Sequence, residues 1–338
     1  MFWKMVMLLR LNLRQRGVNM KKAKFQAHVA NLTRSQLEDA LRSVSEFSNL
    51  ESWKMKHLGI GEMMHTYVLS KGSKRYFVKE VKPHEAQVNY FLCVLDLEHL
   101  PSAVYPQLLD KNVLVMPFIE GGMMPETDRR PDYSLLRDFI QFQNKMNDRR
   151  FFDRYNKLGL HNFGRVDEGF FKRRVARNLK AGRANLIKAK KKYHLPIIEK
   201  YIEIADFLKL SQDKISEDFA GMPFARQHHD LREDNILGKK HNLIDWGSSY
   251  GYGPFMYDLS IFLVHDKRAL DIFMKESEIA KKATKEQINR WLYAALADRF
   301  DDFCKWLIMP GMPFESSKSR LKKALEYNYK TYKYLLER

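Results

Sequence analysis

His228-His229-Asp230-Leu231-Arg232-Glu233-Asp234-Asn235 is followed, ten positions after Asn235, by the aspartate of Leu243-Ile244-Asp245-Trp246-Gly247. The pattern H-x-D-L-x-x-x-N with a trailing D-aromatic-G gathers oxygen donors on one short piece of chain. Their types match a particular chemistry. A hydroxyl attacking a phosphate needs a carboxylate at its proton, and a hard divalent cation beside phosphate oxygens needs oxygen ligands. Asp230 is placed for the first task, Asn235 and Asp245 for the second. Short strands at Ile236–Leu237 and Leu243–Ile244 are expected to flank the loop that carries these residues.

Residues 225–263, ARQHHDLREDNILGKKHNLIDWGSSYGYGPFMYDLSIFL, look like the core of the aminoglycoside phosphotransferase and choline kinase family, relatives of the protein kinases that phosphorylate small molecules. The resemblance implies an α+β, protein-kinase-like fold of two lobes, a small β-rich N-lobe and a larger, mainly helical C-lobe. It implies ATP and Mg²⁺ as cofactors, Asp230 as catalytic base and Asn235 and Asp245 as metal ligands. Asp258, in Gly253-Pro254-Phe255-Met256-Tyr257-Asp258-Leu259, becomes a structural brace that holds the catalytic loop through backbone N–H groups. Two positions depart from the family pattern. His229 stands where the family usually has Gly, and Gly247 stands where many small-molecule kinases carry an acidic residue, which leaves the number of metal ions open.

Twelve residues separate Asp245 from Asp258, and no A-P-E sequence follows. That leaves no room for a long activation segment that docks a peptide, so the expected acceptor is a small-molecule hydroxyl. Arg232 occupies the place where many Ser/Thr kinases keep a lysine near the transferred phosphate. A guanidinium there would stabilise equatorial oxygens in the transition state; equally, it reads as a surface arginine paired with Glu233 or Asp234.

The N-terminal third carries the nucleotide signals. Thr33-Arg34-Ser35-Gln36 fits a capping box, and Leu37, Leu41, Val44 and Phe47 recur at helical spacing, predicting a helix near 34–47. β-rich runs at Thr66–Ser70 and Tyr76–Val81 flank the hairpin signature Lys71-Gly72-Ser73-Lys74. Gly59 and Gly61, in a turn before the first of these runs, would let backbone N–H groups approach phosphates. Lys79 matches the strand lysine that reaches the α- and β-phosphates, with Glu85, opening a helix over Glu85–Leu97, as its ion-pair partner; Glu80 and Lys82 are rivals. The strand Asn112–Met116 runs into Pro117-Phe118-Ile119-Glu120-Gly121-Gly122, which resembles the hinge between lobes. Pro117 offers a carbonyl to adenine but no N–H, which makes Ile119 the expected donor. Expected boundaries are 1–32 for an N-terminal extension, 33–118 for the N-lobe and 119–338 for the C-lobe, with helices at 134–148, 168–192, 196–210 and most of 267–335.

At 338 residues and 45% apolar content the chain can bury a large core. Cys93 and Cys304 are far apart and lack metal-ligand spacing, which fits a reducing cytoplasm. No run approaches a membrane span; residues 1–20 read as a packed extension or as a basic amphipathic helix on a membrane surface, with Phe2, Trp3, Leu8 and Leu9 inserted. The net charge is +18, and residues 149–200 hold sixteen Lys and Arg against four Asp and Glu. Such a stretch reads first as a solvated helix face, or else as a surface for nucleic acid, an anionic lipid surface or a phosphorylated substrate; either way it disfavours polycationic acceptors. It also supports a competing reading: a catalytically silent kinase-like module that holds nucleic acid or another anionic partner. Gly247-Ser248-Ser249-Tyr250-Gly251 matches the G-x-S-x-G of a hydrolase elbow, but Tyr252-Gly253-Pro254 cannot start the helix that elbow requires. Trp291, Tyr293, Asp298, Asp301, Asp302 and Trp306 cluster in sequence in the region where these kinases build acceptor sites; their spacing equally fits a core helix, and no role is assigned to them.

Overall fold

The computed structural model describes residues 32–61, 64–81, 83–105, 108, 113–121, 132–147, 168–231, 235–246, 252–264, 266–308 and 318–337. The expectations for residues 1–31, Arg232 and 247–251 lie outside them. In chain order the elements are α1 (Arg34–Arg42), β1 (Lys54–Gly61), β2 (Met64–Lys71), β3 (Lys74–Glu80), α2 (Pro83–Leu95), β4 (Val113–Pro117), α3 (Tyr133–Asn147), α4 (Glu168–Tyr193) and α5 (Ile197–Leu210). There follow α6 (Gln212–Ala220), β5 (Phe224–Arg226), β6 (Ile236–Leu237), β7 (Asn242–Leu243), β8 (Tyr252–Pro254), α7 (Ser260–Leu263), α8 (Lys267–Glu276), α9 (Lys285–Trp306) and α10 (Lys318–Tyr332). They form two compact units, one of Met1–Met124, Asp148–Phe163 and Asp234–Tyr250, the other of Pro125–Asn147, Gly164–Glu233 and Gly251–Arg338. The segment 234–250 therefore groups with the N-terminal sheet.

In the first unit β1 to β4 form an antiparallel sheet in sequence order. Alternation along each strand sorts the side chains. Val78, Val113 and Val115 join Leu37, Leu41, Phe47 and Trp53 in one apolar cluster, against which α1 packs. Leu114 and Met116 join Val81, Ala86 and Ala103 in a second cluster, with Phe77, Ile119 and Ile244 against it. The start of α1 is fixed locally: Thr33 Oγ1 accepts from the Gln36 N–H at 3.2 Å while Gln36 Oε1 accepts from the Thr33 N–H at 2.9 Å. The helix ends at Arg42, and a 3-10 turn at Ser45–Phe47 carries the rest of the predicted helical stretch.

β1 runs through Gly61, so Gly59 and Gly61 are strand residues and not a turn before a strand. Pairing with β2 slips between His57 and Gly59, a bulge that leaves Leu58 half exposed. The hairpin β6–β7 is tied to this unit by His99, whose carbonyl accepts the Leu243 N–H at 2.8 Å and whose Nδ1 lies 2.6 Å from the Lys240 carbonyl. At the turn of that hairpin Gly238 has φ +71° and touches Gly121, itself at φ +116°; a Cβ on Gly121 would lie 2.8 Å from Gly238 Cα.

In the second unit β5 pairs with β8, Phe224 opposite Pro254 and Arg226 opposite Tyr252. Gln143 of α3 donates to the Phe255 carbonyl at 3.1 Å and to the Arg226 carbonyl at 3.4 Å, fastening both strands. α9 packs against α4, α6 and α7. Among the described residues no helix is long and apolar enough to cross a membrane.

A Cβ on Gly238 would lie 2.8 Å from the Glu120 carbonyl, at a backbone conformation L side chains rarely adopt. Gly238→Ala is therefore expected to cost about 1–3 kcal/mol of stability, read from the midpoint of urea unfolding. An unchanged midpoint would mean that the hinge and the hairpin do not touch as described.

Candidate active site

The first unit holds a cavity of about 420 Å³, within the usual range for a small-ligand site. The sheet register aims Lys79 into it. Lys79 pairs with Thr66 on β2 and with Leu114 on β4, so these three share a row across one face, and all three line the cavity. Leu58, Phe77 and Met116 add apolar wall, and Glu85, Asn235 and Asp245 line it too. The bulge in β1 is what turns Leu58 toward this space, a contribution that the sequence reading missed.

Lys79 Nζ lies 3.0 Å from Glu85 Oε1 and 2.7 Å from Asp245 Oδ1. Burial, the largest single influence, lowers the affinity of Lys79 for its proton, but the two carboxylates overcome it and hold the ammonium above its ordinary pKa. Glu85 is buried, and Asp245 keeps 45% of its side chain exposed, so Asp245 has a face available to a ligand. Asp245 sits at φ +59°, while the Ile244 N–H donates to the Asn235 carbonyl at 2.9 Å; the bond ties the two expected metal ligands into one local structure. Glu80, the rival of Lys79, points away: it is buried and accepts the Leu32 N–H.

At the hinge, the Phe118 N–H donates to the Arg75 carbonyl at 3.1 Å. Arg75 also stacks over the Phe118 ring at 4.0 Å and pairs with Glu120 at 3.0 Å. With Pro117 lacking a donor and Phe118 engaged, Ile119 carries the hinge N–H with no acceptor among the described residues. Pro117 and Ile119 both line the cavity.

Asp230 belongs to the second unit, in the loop after β5. Asp258 Oδ2 accepts the N–H groups of His228 and His229, at 2.6 and 3.1 Å. Burial, with a smaller push from the Asp230 charge, raises the Asp258 carboxyl to about 6 against the pull of Arg299 and the two amides. His229 adopts φ +65°, a backbone state glycine enters freely, and its ring lies where a Cβ on Gly253 would approach Cε1 to 2.8 Å. The aromatic-acidic cluster of α9 is engaged within its own unit: Asp298 and Asp301 are buried, Lys305 pairs with Asp301 at 2.5 Å and Asp302 at 2.9 Å, and the Tyr257 hydroxyl donates to Asp302. β8 follows the 247–251 segment directly, so no helix begins where a hydrolase elbow needs one.

A family model described as "Phosphotransferase enzyme family" matches residues 57–297, well over half of the chain. The chain belongs to the phosphotransferase enzyme family. Among solved structures, an ethanolamine kinase of Plasmodium vivax shares the fold at 11% identity, covering 90% of each chain with a TM-score of 0.50. The choline kinase LicA of Streptococcus pneumoniae aligns at 14% identity over 86% of this chain and 99% of its own, with a TM-score of 0.44. A GDP complex of an aminoglycoside 2'-phosphotransferase aligns at 15% identity over 88% and 98%, with a TM-score of 0.48. No curated protein sequence matches.

Removing one partner of a buried ion pair leaves an uncompensated charge. Lys79→Met is expected to cost about 3 kcal/mol of stability at neutral pH, and combining it with Glu85→Gln should recover part of that loss. Urea unfolding of the two single variants and the double variant measures the coupling; strictly additive costs would show that the pair is not coupled.

Proposed function

We propose that the chain moves the γ-phosphoryl group of ATP, with Mg²⁺, to a hydroxyl of a small molecule. The observation that carries this reading is the meeting of Lys79, Glu85 and Asp245 on the wall of a cavity that is otherwise largely apolar and reaches the Pro117–Ile119 hinge. Among the described residues no three His, Cys, Asp or Glu side chains gather as a protein-only metal cage. One carboxylate and one amide oxygen, from Asp245 and Asn235, are hard donors that would hold Mg²⁺. When bound, Mg²⁺ neutralises charge on the phosphates.

The chain's own groups take the remaining tasks. Apolar walls and the hinge, with Pro117 as acceptor and Ile119 as donor, receive the base. Lys79 exchanges carboxylate contacts for phosphate oxygens, keeping its charge throughout. Asp230 orients the acceptor hydroxyl and takes its proton as the oxygen–phosphorus bond forms and the bond to ADP breaks. Arg232 is a candidate for the charge on the transferred group, and the β1 backbone at Gly59 and Gly61 a candidate cover for the phosphates. The chain's net charge of +18 favours an anionic or neutral acceptor. The lysine already pairing with Asp301 and Asp302 is a further reason not to place an amino cation there.

Calorimetric titration with ATP is expected to show Mg²⁺-dependent binding that Asp245→Ala abolishes; absence of binding in the parent protein would overturn the reading. Asp230→Asn should retain nucleotide affinity and lose turnover, measured as ADP release across a panel of hydroxylated metabolites that includes alkanolamines and hydroxylated anions. Full activity in that variant would remove Asp230 from the role.

A further inference from the structure

Arg299, in the middle of α9, lies beside the buried Asp258 and makes four contacts around the catalytic loop. Its Nη2 donates to the Leu231 carbonyl at 3.0 Å, and Nη1 reaches the Tyr257 carbonyl at 3.5 Å. Nη1 also lies 3.7 Å from Asp258 Oδ1, and the guanidinium stacks over the Tyr257 ring at 5.2 Å. Asp258 uses its other oxygen on the His228 and His229 amides. The loop is thus gripped on both sides of Asp230: two amides before it by a carboxylate, one carbonyl after it by a guanidinium that also neutralises that carboxylate.

From this geometry we infer that Arg299 is a positioning residue for Asp230, a clamp that sets the loop from a helix nearly seventy positions further along the chain. The inference rests on the reading of Asp230 as the group that takes the acceptor's proton. A planar fork fits the task because it satisfies two carbonyls and an acid at once, which a lysine ammonium cannot do in the same plane. The buried acid also needs the cation: Asp258 already titrates near 6, and Arg299 holds it down. The charged and titratable groups around the pair are Asp302 from α9, Asp230, His228 and His229 from the loop, Tyr257 beside Asp258, and Tyr332 from α10. Without Arg299 the Asp258 carboxyl would stay protonated to higher pH and hold the loop amides more weakly.

The test compares Arg299→Met and Arg299→Lys with the parent protein. Two readouts are needed: pH profiles of ATP turnover, with the best acceptor or with water, and amide hydrogen exchange of the peptide spanning residues 226–231. Arg299→Met should lower kcat by about 10²-fold, as misplacement of a catalytic group does. It should leave KM for ATP unchanged, shift the acidic limb of the profile to higher pH and speed exchange at 228–231. Arg299→Lys, which keeps the charge and loses the fork, should lower kcat with the acidic limb close to the parent's; it carries the test if the methionine variant does not fold. Parent-like kcat, or lower kcat with parent-like exchange and an unmoved limb, overturns the inference. A parent that turns over no ATP sinks the phosphotransferase reading instead, and the exchange result then decides by itself whether Arg299 holds the loop.

Discussion

A mostly buried ammonium needs compensating carboxylates, and Lys79 obtains them from two directions. Glu85 arrives because α2 begins at Pro83, three residues after β3 ends. Asp245 arrives because β6–β7 is tied to His99 at both its Nδ1 and its carbonyl. The row Thr66, Lys79, Leu114 aims the lysine, and that row exists only in one register, since a slip of one residue would turn Lys79 to the opposite face. Sheet pairing, helix start and hairpin docking therefore serve a single charge cluster, the one proposed above to receive phosphates.

In the second unit a carboxylate is held in a place that disfavours its charge. The sign of the linkage is definite: with a folded pKa near 6, above the ordinary value of 3.8, Asp258 contributes stability that is fully present below 3.8 and lost as pH rises through about 6. At neutral pH its ionised form is a liability for folding. What it secures in return is a loop whose amides have fixed acceptors, with His229 held in a strained backbone state. Strain and buried charge together mark this loop as selected for geometry rather than for stability.

The parts legible in the sequence were those with short-range signatures: the short strands on either side of Gly238, the Thr33 capping box, the turn at Gly72 and the strand running into Pro117. The Lys79–Glu85 contact was legible too, because strand and helix follow one another directly. β1 was not, since in Lys54-Met55-Lys56-His57-Leu58-Gly59-Ile60-Gly61 the apolar alternation breaks between Met55 and Leu58 and two glycines weaken the rest, and only pairing with β2 makes it a strand. α6 is short and mostly polar, and its buried Ile215 and Phe219 show only one turn of helical spacing. Arg299 leaves no trace because its partners are main-chain carbonyls and an acid far along the chain; nothing in residue type or spacing announces such a contact. Leu58 was hidden for a related reason, as a bulge is a property of two paired strands and not of one.

The meeting of Gly121 with Gly238 has a consequence for how this chain can diverge. Each glycine is closed to a side chain by main-chain atoms: Gly121 by Gly238 Cα, Gly238 by the Glu120 carbonyl. Backbone atoms are present whatever residue occupies a position, so no substitution at one site makes room for a Cβ at the other. Related chains that keep this packing should hold both positions constant rather than exchange size between them, and methods that search for paired sequence change would find no signal at this contact.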